Sequence, residues 1–147
     1  MTLNFEKAIT EKHFKAVYDY NIDAFSDTPD FKWTLSGIIK EVKDGWELFS
    51  VKDRGEIVAA VFIKKVKKSL LSKNTAVKLE HQGQGYNHQI KEFIEEIAFK
   101  RNIVEIFHYC RIDNFRMYSL NESHKYKKTT GNKELDEHVV EWIKKLK

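Results

Sequence analysis

Residues 80–88 read Glu-His-Gln-Gly-Gln-Gly-Tyr-Asn-His. Two of the chain's six glycines, Gly83 and Gly85, stand one residue apart there, between the apolar run 76–79 and the periodic stretch 90–99. Glycine at a strand-to-helix junction lets the backbone approach a ligand closely or turn through positive φ. A helix start adds unbonded N–H groups and the positive end of the dipole. Together they make a place for an anion, most often a phosphate, although a tight turn would use the same residues. The charge distribution agrees with an anion. Residues 1–60 hold 8 Lys and Arg against 11 Asp and Glu, and residues 61–147 hold 18 against 11. A positive field on the half that carries the glycines favours a negative ligand.

Other reactive side chains are few. His108 has the ordinary pKa range of a general base. In the strand-like run 104–110 it shares a face with Cys110, opposite Phe107 and Tyr109. Cys110 is the one cysteine, flanked by apolar residues, and reads as a buried thiol. His13, His88, His124 and His138 lack a metal-ligand spacing, so no metal is expected.

These residues need a scaffold. Residues 3–9 suit a first strand. Phe14, Val17, Tyr18, Ile22 and Phe25 mark one face of a helix over about 11–25, and Trp33, Leu35, Ile38, Ile39 and Val42 mark a second. Runs 46–51 and 56–63, joined by Lys-Asp-Arg-Gly, read as a hairpin. A further strand is expected within 69–79. Ile90, Phe93, Ile94, Ile97 and Ala98 give a third helix, and Asp113 or Asn114 can cap a short fourth one carrying Met117 and Leu120. Residues 127–137 read as a polar loop, and 138–146 as a last strand. The sum is a single α/β domain over residues 1–147, a mixed sheet flanked by helices, in the order β-α-α-β-β-β-α-β-α-β-β. No run of about 18 apolar residues and no signal peptide is present, so no membrane partner and a cytoplasmic location are expected. Lys64, Lys65, Lys67 and Lys68 read as a solvated strand edge rather than a nucleic-acid surface.

This order, with the glycine loop between the fourth strand and third helix, resembles the GNAT family of acyl-CoA-dependent N-acyltransferases. The family's loop pattern is Gln or Arg, two residues, Gly, one residue, then Gly or Ala. Here Gln82-Gly83-Gln84-Gly85-Tyr86-Asn87 keeps Gln82 and Gly85 and replaces the last small residue by Asn87. Asn114 and Leu120 keep the family's downstream Asn and apolar residue, whereas Asn121 stands where the family has Tyr. The resemblance implies a fold of that type and acetyl-CoA as cosubstrate. It implies a pyrophosphate held by the N–H groups of Gly83, Gln84, Gly85, Tyr86 and Asn87. The backbones of Val77 and Leu79 would pair with the pantetheine arm between two splayed strands, with Asn114 nearby. It also implies an amine acceptor, a small molecule or a peptide, and a possible homodimer.

Acyl transfer to an amine needs a proton acceptor, an oxyanion donor and a donor for the leaving thiolate. A strand N–H such as that of Leu79 serves the oxyanion. The family's strand carboxylate is Leu71 here and its Tyr is Asn121, whose amide donates a hydrogen bond but no proton. Tyr118, one helical turn before Asn121, is the phenol expected to serve the thiolate, and His108 is the candidate base. The alternative is a catalytically degenerate protein on the same scaffold that binds coenzyme A or a partner. Tyr18, Tyr20, Trp33, Trp46 and Trp142 suit either an aromatic acceptor wall or a plain core.

Overall fold

Thr10 starts the first helix of the computed structural model, which describes residues 3–20, 34–72, 85–111, 115–129 and 139–146. The Thr10 hydroxyl accepts from the His13 backbone N–H at 3.2 Å and caps α1 (Glu11–Asp19). The Thr34 hydroxyl does the same for α2 (Leu35–Lys43), accepting from the Gly37 N–H at 3.0 Å. Each cap satisfies one otherwise orphaned helix donor. Phe14 and Val17 on α1 and Ile38 on α2 are buried, one narrow apolar stripe per helix.

The strands are β1 (Asn4–Lys7), β2 (Glu47–Asp53), β3 (Glu56–Val66), β4 (Ser69–Ser72), β5 (Glu105–Arg111), β6 (Lys127–Lys128) and β7 (Val139–Lys145). They form one sheet in the order β1-β2-β3-β4-β5-β7-β6. Every pairing is antiparallel except β4 with β5. Arg54 and Gly55 turn β2 into β3 with φ of 54° and 82°. Two successive positive φ values match the twist of the flanking strands, and Gly55 carries one of them without strain. β3 lies inside the sheet, and residues 58–63 are buried without interruption. Its Ala60 and Phe62 pack with Phe14, Val17, Ile38 and Leu48 under α1 and α2. Its Val61 and Ile63 pack with Leu70, Ile106 and the buried face of α3 (Tyr86–Lys100) on the other side. The result is a helix–sheet–helix sandwich, with α4 (Phe115–Ser123) also on the α3 side, because Asn121 meets β5 there.

Two expectations change. Lys64 and Lys65 are on no sheet edge, since they pair with Leu71 and Leu70 of β4, and Lys67 and Lys68 form the turn that follows. Their charge reflects the solvent-facing end of an internal hairpin. The stretch read as a polar loop opens with β6, where Lys127 and Lys128 pair with Ile143 and Trp142. Two exposed residues on an outer strand leave no apolar alternation to detect.

The aromatic residues of the first half are packing groups. Tyr18, Tyr20 and Trp46 lie against the α1–α2 cluster, and the Tyr20 hydroxyl donates to the Val58 carbonyl at 2.7 Å. Trp142 is buried in β7. Trp33 lies outside the described residues.

Candidate active site

Gly85 is the N-cap of α3, with φ +78° and no side-chain cap. The first i→i−4 bond of the helix is Gln89 N–H to the Gly85 carbonyl, at 3.3 Å. The N–H groups of Tyr86, Asn87 and His88 therefore point out of the helix end, as in any α-helix. Among the described residues, a Cβ built on Gly85 meets no atom within 4 Å, so packing against them does not demand a glycine, whereas its φ of +78° favours one. Tyr86 is buried, and its hydroxyl donates to Asp53 Oδ2 at 2.6 Å. That bond ties the helix start to the β2–β3 turn and raises the phenol's pKa. Val77, Leu79, Gln82, Gly83, Gln84 and Asn114 lie outside the described residues.

The β4–β5 pairing starts at Ser69 with Glu105 and is last seen at Leu71 with Phe107. β5 continues to Arg111, and among the described residues its partner there is β7 alone. His108 is the first β5 residue beyond the parallel pairing. Its Nε2 lies 2.8 Å from Asn121 Oδ1 and 3.1 Å from Lys91 Nζ. His108 and Asn121 are fully buried and Lys91 is 5% exposed. The two sequence candidates are thus brought into contact, on the face that packs under α3 and α4. Burial, and then the neighbouring Lys91 charge, push the His108 pKa well below its ordinary value. Burial pulls Lys91 down to about 7, against a smaller opposing pull from Glu95. The Lys91 amine also sits 4.4 Å from the centre of the Tyr126 ring, whose own phenol burial pushes well up.

Tyr118, one turn before Asn121, is half-buried, edge-on to Trp142 at 5.1 Å and to Phe115 at 5.8 Å, with Lys128 Nζ 5.2 Å from its ring. It packs beside the cluster, while Asn121 is part of it. His124, just past α4, contacts His88 of α3 through nitrogens 3.0 Å apart. Among the described residues no three His, Cys, Asp or Glu side chains gather as metal ligands.

Lys91 was missed by the sequence reading, although a signal existed. It precedes Ile94 by three positions and Ala98 by seven, so it sits on the buried stripe of α3. A lysine there is either snorkelling or paired with a buried polar group, and here it meets His108.

No family model and no curated protein matches the chain. Solved structures do. A ribosomal-protein-alanine N-acetyltransferase of Escherichia coli is 18% identical, with 97% of this chain and 92% of that one covered, at a TM-score of 0.78. An acetyltransferase of Bacillus subtilis in complex with CoA is 16% identical, with 99% of each covered, at 0.73. The PaiA N-acetyltransferase of Thermoplasma acidophilum in complex with coenzyme A is 11% identical, with 99% of each covered, at 0.74. With the strand order, the single parallel contact between β4 and β5 and the glycine that opens α3, these likenesses establish that the chain has the GNAT N-acetyltransferase fold.

Proposed function

We propose that the chain is an N-acetyltransferase that moves an acetyl group from acetyl-CoA to an amine. The observation that carries this reading is the likeness, over nearly the whole chain, to acetyltransferases of which two were solved with coenzyme A. The residues present fit that cosubstrate. Gly85 leaves open space at the start of a 15-residue helix, where a phosphate gains both N–H donors and the dipole. Acetyl-CoA supplies an activated thioester. In this reading the N–H groups of Gly85, Tyr86 and Asn87 bind its pyrophosphate. Gln82, Gly83 and Gln84 complete the loop, Val77 and Leu79 align the pantetheine, and Asn114 flanks it. We place the protein in the cytoplasm, as one domain, with a small-molecule or peptide amine as acceptor.

The direct test is binding. At about 100 times its dissociation constant, coenzyme A should stabilise the fold by roughly 2.7 kcal/mol. A thermal-shift titration and calorimetry would read it. Neither heat nor shift at millimolar coenzyme A would leave the reading without support.

The chemistry falls to α4 and β5. Tyr118 and Asn121 lie within one turn of each other on α4, and either side chain can hydrogen-bond a departing thiolate. A hydrogen bond to a charged group lost from such a shared role costs about tenfold in turnover. Tyr118→Phe and Asn121→Ala should therefore each lower kcat by about that factor, with acetyl-CoA affinity little changed. A parental kcat in Tyr118→Phe would make its phenol a packing group on Trp142. His108, buried and held neutral, suits positioning better than taking a proton from the acceptor amine.

A further inference from the structure

We infer that a half-buried strip on the α1–α2 face of β4, β5 and β7 takes the acetyl acceptor, and that this acceptor is a primary ammonium on an apolar or aromatic body, its charge held by Glu141. This rests on the proposed use of acetyl-CoA.

The register brings the strip together. Leu71 of β4 pairs with Phe107 of β5, and Phe107 pairs with Ile143 of β7. Partners across a ladder share a face, so three apolar side chains from three strands lie in one row. Lys64 of β3 and Lys127 of β6 end the row, paired with Leu71 and Ile143. Alternation settles which face this is. Ile106, Cys110 and Trp142 belong to the core under α3, whereas Lys64 shares its face with Ala60 and Phe62, which lie under α1 and α2. Among the described residues, Leu71, Phe107 and Ile143 join neither core cluster, and all three are half-buried.

The next row adds a charge. Tyr109, edge-on to the Phe107 ring at 6.0 Å, pairs with Glu141 of β7. Burial, and then a hydrogen bond to the Glu141 carboxylate, push the Tyr109 pKa up to about 12, so near neutral pH the phenol stays a donor. The Thr129 hydroxyl donates to Glu141 Oε1 at 3.0 Å. Both donors are neutral, and among the described residues no Lys or Arg is paired with Glu141. The carboxylate is thus held in place by hydroxyls that leave its charge uncompensated. A ligand ammonium supplies the counter-charge, and the Phe107 and Tyr109 rings beside it favour a cation further. The apolar row gives the rest of the ligand its floor. A partner protein fits less well, since three half-buried side chains offer far less than the roughly 800 Å² per partner of a stable interface. The buried face of α3 covers the other side of the sheet. A ligand on the strip therefore leaves the start of that helix free, as a second substrate must.

The probe is 2-phenylethylamine, with 2-phenylethanol as its neutral counterpart. Carbon-13 NMR of the Ile143 methyls and the Phe107 ring should show the amine binding the parent protein, and the alcohol binding about tenfold more weakly for want of a charge-assisted hydrogen bond. Glu141→Gln keeps an oxygen that accepts from Tyr109 and Thr129 but loses the charge. It should weaken the amine about tenfold and leave the alcohol unchanged. With acetyl-CoA present, the same variant should raise the amine's KM by about that factor with kcat little changed. Equal binding of amine and alcohol, no response of the strip's signals to either, or an unchanged dissociation constant and KM in Glu141→Gln overturns the inference and leaves the acetyl-CoA reading standing. So does an amine that binds the strip and is not acetylated while coenzyme A is bound. Failure of the parent to bind coenzyme A sinks both.

Discussion

Gly85→Val should lose coenzyme A affinity by more than about 100-fold while the protein still folds. Gly85 sits at φ +78°, and among the described residues a Cβ there meets nothing within 4 Å. The protein therefore has room for the side chain, and the cost to folding is backbone strain, about 1–2 kcal/mol for an ordinary L-residue in the left-handed region. The cost to binding is larger, because the Val side chain would fill the space through which a pyrophosphate reaches the first N–H groups of α3. A 100-fold loss corresponds to about 2.7 kcal/mol, which displacing the phosphates by one side-chain layer readily exceeds. Gly85→Asn separates strain from approach. Asparagine tolerates positive φ far better than valine, so this variant should keep near-parental stability and still lose affinity. Calorimetry with coenzyme A and thermal unfolding of all three proteins would decide. An asparagine variant that binds like the parent would mean that the glycine serves only the turn.

The hairpin, the third helix and the buried strand were legible because each has a strong local cause. Arg54-Gly55 has a turn geometry that little else satisfies, and residues 58–63 are apolar because β3 is covered on both faces. The candidate site was legible by residue type but not by arrangement. His108 and Asn121 are 13 residues apart, and only the packing of α4 over β5 makes them neighbours. Strand alternation put His108 and Cys110 on one face, and both are buried there, but alternation could not say that helices cover that face. The order ended in two strands, but the residues of β6 could not be picked out, because its two lysines are in the sheet through backbone bonds, with both side chains exposed. Lys91 was hidden by its charge, since a lysine in a helix rich in Glu and Lys reads as solvated unless its phase against Ile94 and Ala98 is followed.

That lysine carries the other large expected effect. Lys91→Met should raise stability near neutral pH by about 4 kcal/mol and flatten its pH dependence on the alkaline side. The Lys91 pKa is lowered from 10.5 to about 7 in the folded protein, chiefly by burial. Above pH 10.5 the amine is neutral folded or unfolded and costs nothing electrostatically. Between 10.5 and about 7 the unfolded chain holds a proton that the native state lacks. Stability therefore falls as the pH falls through this window, with a slope approaching roughly 1.4 kcal/mol per unit. Below about 7 both states are protonated and the full deficit remains. Methionine has a similar length, fills the same irregular space beside the Tyr126 ring and cannot titrate. His108 keeps Asn121 as its Nε2 partner, so the change strands no polar atom that the parent satisfies. For a domain of this size the gain corresponds to roughly 10 °C in Tm. Denaturant unfolding of parent and variant from pH 6 to pH 10 would measure it: the two curves should be furthest apart at pH 7 and below and converge toward pH 10. Parallel curves, or a variant less stable at pH 7, would mean that Lys91 is charged in the folded protein and is held by Glu95 and the Tyr126 ring more strongly than burial opposes it.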